Sequence, residues 1–186
     1  FLAEDHGRIR RVVLNPSPAP RMVVEVETRL DQLIVADPAC NGAVVAAATA
    51  DGRVRSLAAR DLSPIGSWKL DAPILGAPMA VEGRIVVLDA SGGVLLFGRD
   101  GRRAWSSKID APASGRPLIV GDALWVLDRD GKAHGLAVAD GKEIATRELG
   151  VLPAGGLIML GDEVFVPTGR GALQPLALDR TNGAKP

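Results

Sequence analysis

Four apolar runs, each closed by a short acidic or polar turn ending in glycine, recur about forty residues apart along this chain. They are Val44 to Gly52, Ile85 to Gly93, Leu124 to Gly131 and Val164 to Gly171. A fixed period of that length, built from strand-like segments, marks a repeat architecture whose units bury their cores against one another. Other landmarks keep the register. Leu70-Asp71-Ala72-Pro73 returns as Ile109-Asp110-Ala111-Pro112, and Gly76-Ala77-Pro78 returns as Gly115-Arg116-Pro117. The loop Val81-Glu82-Gly83-Arg84 recurs at Val120-Gly121-Asp122-Ala123 and Leu160-Gly161-Asp162-Glu163, and the turn Asp100-Gly101 recurs at Asp140-Gly141. The approximate units are 1–36 (partial), 37–76, 77–115, 116–155 and 156–186 (partial), within a single domain.

In the best-kept unit, Ala77 to Asp110, apolar segments at 78–81, 84–89, 94–98 and 103–108 are separated by short Gly- and Asp-rich connections. Such connections supply the positive backbone dihedrals of tight hairpins, so each unit is expected to be a four-stranded antiparallel meander. The second strand is the most hydrophobic and belongs at the centre, because a strand buried on both faces loses its polar alternation. Arg102, Arg103 and Lys108 place the fourth strand against solvent. Pro and Gly interrupt every window that could form a helix. The expected fold is an all-β propeller of four-stranded blades, with about four to five blades' worth in this chain. Propellers close with roughly four to eight blades, and the frayed ends suggest an arc of a larger ring. Closure by joining the two terminal pieces, or by two copies of the chain, are the other ways to complete it.

Composition narrows the functional classes. The 186 residues carry 22 basic and 22 acidic side chains, dispersed singly, which leaves no nucleic-acid or anionic-membrane footprint. Arg8, Arg10 and Arg11 form the nearest thing to a basic patch and read as a solvated strand face. No apolar run approaches the ~18 residues of an integral membrane segment. The chain begins at Phe1 without methionine or a signal peptide, as expected if an upstream region is missing. Cys40 is a lone thiol, which rules out an internal disulfide and a Cys-x-x-Cys-His haem attachment within the segment.

The stretch Val94-Leu95-Leu96-Phe97-Gly98-Arg99-Asp100-Gly101-Arg102-Arg103-Ala104-Trp105 resembles the tryptophan-docking repeat of the pyrroloquinoline-quinone-like propellers. His134 to Ala145 matches the same pattern with Ala145 in the tryptophan's place, and Ser63 to Trp68 keeps the ring without the Asp-Gly turn. The likeness covers about residues 43–178. It implies that Trp105 sits between neighbouring blades, and that Trp68 does the same; Trp125, on a second strand, reads as core.

Quinoprotein enzymes of that kind hold a quinone against calcium with carboxylate and amide ligands and use paired cysteines. No such cluster recurs here, so the resemblance implies the fold without the cofactor. Asp128-x-Asp130-Gly131 opens like a calcium loop, but the acid that would complete it falls at Ala139, and a hairpin turn capped by aspartate is the better reading. His6 and His134 read as surface histidines, too few for a zinc site. Ser63, Ser91 and Ser114 lie at turns without a nucleophile elbow. Ala154-Gly155-Gly156 precedes a strand, not a phosphate-binding helix, and reads as a turn. No catalytic, cofactor-binding or metal residue is assigned.

The expected function is therefore non-catalytic: a protein-interaction or ligand-sensing propeller. The resemblance implies a periplasmic or extracytoplasmic setting in the bacterial cell envelope. Two alternatives remain at this point, a fragment of a quinoprotein dehydrogenase whose ligands lie elsewhere and a structural subunit completed by another chain.

Overall fold

A computed structural model describes residues 1–4, 6–15 and 20–178; the last eight positions of the final repeat lie outside the described residues. The described chain contains strands and turns and no helix, in five antiparallel sheets. The first sheet holds β1 (Leu2–Glu4), β2 (Arg8–Asn15) and β3 (Arg21–Arg29). The second holds β4 (Ala39–Cys40), β5 (Val44–Thr49), β6 (Arg53–Ala58) and β7 (Pro64–Lys69). The third is β8 (Met79–Val81), β9 (Arg84–Leu88), β10 (Gly93–Phe97) and β11 (Arg103–Lys108). The fourth is β12 (Leu118–Val120), β13 (Ala123–Leu127), β14 (Lys132–Ala137) and β15 (Glu143–Glu148). The fifth has β16 (Ile158–Leu160), β17 (Glu163–Pro167) and β18 (Leu173–Leu176). Within every sheet, strands pair in chain order, which is the meander that the glycine-punctuated pattern predicts.

The hydrophobic second strands β5, β9 and β13 are buried along nearly their whole length at the centres of their sheets. Their alternate side chains feed the two flanking interfaces. Val86 and Leu88 pack with Leu124 and Val126 of the next blade, while Ile85 and Val87 pack with Val44 and Ala46 of the blade before. Four buried clusters result, one between each successive pair of sheets. None of these clusters joins the first sheet to the fifth, so the described residues form an arc of propeller blades.

The first sheet keeps the later strands of a blade. Leu30 N donates to Gly7 O just as Leu70 donates to Gly52, Ile109 to Gly92 and Leu149 to Gly131. This equivalence makes β2 a third strand and β3 a fourth. The third and fourth strands also share a β-bulge: the register shifts after Arg11, Ser56, Leu96 and Gly135, which occupy the same place in four successive blades. A bulge adds local twist to an outer hairpin.

Candidate interaction surface

The docking geometry is clearest between the third and fourth blades. Trp105 Nε1 donates to Val138 O at 2.9 Å, and a Cβ built on Gly141, at φ 74°, would lie 2.5 Å from the ring. The Asp-Gly turn of one blade thus makes room for the indole of its neighbour, as the family resemblance implies. Burial of that ring contributes about 2–3 kcal/mol by area, and the hydrogen bond satisfies the enclosed N–H.

Trp68 departs from this arrangement. It pairs with Val54, whereas the position equivalent to Trp105 is Gly66, opposite Ser56. The Trp68 ring folds back over Gly66, where any side chain would overlap it, and meets Phe97 of the next blade edge-on at 5.0 Å. Trp125 is core, as the sequence predicts, but it also does docking work. Trp125, Gly135 and Ala145 form one cross-strand row, and the indole lies over Gly135 in the cluster that contains Ala145, Leu157 and Val164. Its Nε1 finds no hydrogen-bond partner among the described residues. Each of three successive interfaces therefore receives one indole, supplied from a different place on the sheet.

Between the first and second blades the exchange is complete. Val26 stands at the docking position, and Leu62 stands where the turn glycine belongs. Leu62 adopts φ 57° and is buried with Ile9 and Val26, so its side chain fills the space that an indole would take. Arg11 Nη1 donates at 3.4 Å to Ala59 O, the counterpart of the carbonyl that accepts Trp105. The strained turn is braced by Asp61, whose Oδ1 accepts from the N–H and hydroxyl of Ser63 at 3.0 and 2.6 Å. The Ser63 hydroxyl first, then the Ser63 N–H and Arg60, holds the Asp61 carboxyl down to about 2 from 3.8. A depressed folded-state value means that the brace is intact above 3.8 and lost as pH falls toward 2. Carboxyl chemical shifts of Asp61 should accordingly titrate near 2; titration at the ordinary 3.8 would remove the bracing role.

The chemistry-bearing side chains are distributed as follows. His134 is not a surface residue: at 1% exposure, its Nε2 lies 3.0 Å from Asp128 Oδ2 and its Nδ1 lies 2.6 Å from Glu143 Oε1. The apolar neighbours in its stretch gave no sign that the ring would turn inward between two acids. Asp128 Oδ1 meanwhile accepts from Asp130 N and Lys132 N, the hairpin cap expected of it. His6 is exposed. Arg8, Arg10 and Arg11 are neutralised by Glu4, Glu25 and Glu27. Among the described residues no three His, Cys, Asp or Glu side chains converge as metal ligands. Cys40 is a free thiol of intermediate exposure. Gly155-Gly156 does more than turn the chain: a side chain on Gly156 would overlap the Arg116 backbone, so two blade connections touch there.

Among the described residues the β2–β3 hairpin exposes Val13, Leu14, Met22 and Val24. Its strands run eight and nine residues, against five or six in the equivalent strands. In the added length Leu14 pairs with Met22, 67% and 69% exposed, and Val12 pairs with Val24 on the same side. At the opposite end of the blades, the connections expose Leu33, Val35 and Leu152.

A stack of four-stranded meanders docked through indoles defines a pyrroloquinoline-quinone-like β-propeller, here present as an arc. The family model described as outer membrane protein assembly factor BamB matches residues 36–185, and the chain belongs to that family. No curated protein matches the sequence. The crystal structure of BamB from Moraxella catarrhalis superposes with a TM-score of 0.67 at 15% identity, over 95% of this chain and 61% of that one. The computationally designed Ika8 protein gives 0.69 at 13%, over 95% and 54%. BBS1N, crystallised in complex with ARL6DN, gives 0.65 at 17%, over 96% and 57%. This chain therefore spans somewhat over half the length of these three structures.

Proposed function

We propose that this chain is a non-catalytic protein-interaction module of the bacterial cell envelope, with the β2–β3 hairpin as its contact arm. The observation that carries the reading is the extension of that hairpin past its equivalents with apolar side chains outward, since function on a shared scaffold lies in what departs from it. An exposed apolar row on one blade, beside an ion-paired base of arginines and glutamates, has the composition of an interface centre with a polar rim. Membership in a family described as an outer membrane assembly factor supports the envelope setting and a protein partner. The test is retention of envelope proteins by the full gene product and by a Leu14→Ser/Met22→Ser variant. The variant should keep its melting temperature within about 2 °C, as expected for surface substitutions, and release a partner that the parent retains. Equal retention by both proteins would remove the hairpin from the interface. Recovery of the native protein in a cytosolic fraction would overturn the envelope setting.

A further inference from the structure

In the first four blades one polar position is met by a basic side chain except in the third; the fifth has a neutral Thr168 there, followed by Ala172 and Gln174. Glu4 and Thr49 end the second strand and Asp89 and Asp128 follow it by one residue, each leading into the turn at Gly7, Gly52, Gly92 or Gly131. The first and third residues of the strand that follows are Arg8 and Arg10, Arg53 and Arg55, or Lys132 and His134 in the first, second and fourth blades. Arg10 Nη1 reaches Glu4 at 2.6 Å, Arg55 binds both Thr49 Oγ1 and Asp51, and His134 reaches Asp128 at 3.0 Å. In the third blade those two places are Gly93 and Leu95.

Asp89 is left behind as an acid 2% exposed. Its Oδ1 accepts from Ser91 N, Ser91 Oγ and Gly93 N, each at 2.8 Å. Among the described residues no basic group lies within ion-pair distance of it. Oδ2 sits against Gly93, where a Cβ would overlap it, and Asp89 and Gly93 both line a cleft of about 280 Å³ between the second and third blades. Lys69, Arg103, Lys108 and one further acid, Asp71, line the same cleft with exposed side chains, none of them in an ion pair among the described residues. A buried carboxylate without a counter-charge is costly, and the counterpart position in the first, second and fourth blades meets a nitrogen.

We infer that this cleft binds a ligand carrying a guanidinium or ammonium close to a carboxylate, with the cation on Asp89 and the carboxylate among Lys69, Arg103 and Lys108. The three bases at the mouth outnumber Asp71 beside them and disfavour a bare metal cation, and the acid on the floor disfavours a bare anion; a zwitterion satisfies both. A free amino acid and a basic residue beside an acidic one on a partner's loop share this chemistry. The inference is independent of the β2–β3 arm.

The experiment is an amide chemical-shift titration of the isotope-labelled protein with L-arginine, with agmatine, which lacks the carboxylate, and with the blocked dipeptide N-acetyl-Arg-Glu-amide. Saturable shifts should centre on Ser91, Gly93 and Ser107, and agmatine should bind about tenfold more weakly than the zwitterion that shifts them. Asp89→Asn, which keeps the turn's acceptor, should weaken binding about tenfold or more. Leu95→Arg rebuilds the arrangement of Arg55 and should abolish binding by filling the site from within. Binding of the dipeptide alone identifies a partner loop, and binding of free arginine alone identifies an amino acid. Absence of saturable shifts with every probe, unchanged affinity in Asp89→Asn, or agmatine binding as tightly as the zwitterion would overturn the assignment.

Discussion

Trp105→Ala should lower the unfolding free energy by about 3–5 kcal/mol, the cost of emptying a packed aromatic site. Urea denaturation followed by circular dichroism reads the effect directly. Three losses combine: the buried ring, the 2.9 Å hydrogen bond to Val138 O, and the contact with Gly141 that holds the third and fourth blades together. Trp105→Phe isolates the second of these and should cost much less, with about 1 kcal/mol belonging to the hydrogen bond. The first interface suggests a repair. Trp105→Val combined with Gly141→Leu copies the Val26 and Leu62 pairing and should recover part of the loss. Recovery stays incomplete, because leucine at φ 74° carries strain of about 1–3 kcal/mol. A double variant no more stable than Trp105→Val alone would show that Leu62 is not a space-filling substitute.

Gly156→Ala should destabilise by about 1–3 kcal/mol or more, toward the upper end because the atoms it meets belong to backbone. The added methyl would overlap Arg116, and Gly115 meets Gly156 from the other side at φ 70°. Leu157 N donates to Arg116 O at 3.1 Å across the same contact, so separating the two connections also lengthens that bond. Gly76, the counterpart of Gly115 one blade earlier, has open space around it, and Gly76→Ala should cost only the strain of its φ of 78°. The difference between the two variants in thermal melts is the measurement. Equal losses would mean that dihedral preference alone accounts for both.

The strand pattern was legible because hairpin turns and buried central strands write themselves locally, as glycines at fixed offsets and unbroken apolar runs. Strand limits in the third blade differ from the pattern by one residue at four of the eight ends. The docking role of Trp105 was readable from its turn for the same reason. Trp68 was read in the right interface by the wrong geometry, since the ring is offset along the strand and only the pairing of Gly66 with Ser56 exposes the shift. Leu62 was invisible because a leucine at positive φ is disfavoured locally and is tolerated here by what surrounds it. His134 misled for a related reason: its two acids approach from the end of one strand and the start of another, and no spacing rule joins Asp128, His134 and Glu143. The Asp89 cleft emerges only when blades are superposed, because its signature is an acid without the basic side chains that the first, second and fourth copies have.

The repeated bulge bears on solubility. β3, β7, β11 and β15 are edge strands of their sheets, and a regular edge is a template for pairing with a foreign strand. At Glu25, Ile65, Ala104 and Ile144 one residue interrupts the regular ladder, so a foreign strand sliding along any rim loses step midway. Straightening one rim by deleting its extra residue should make the molecule self-associate there while its interior stays intact.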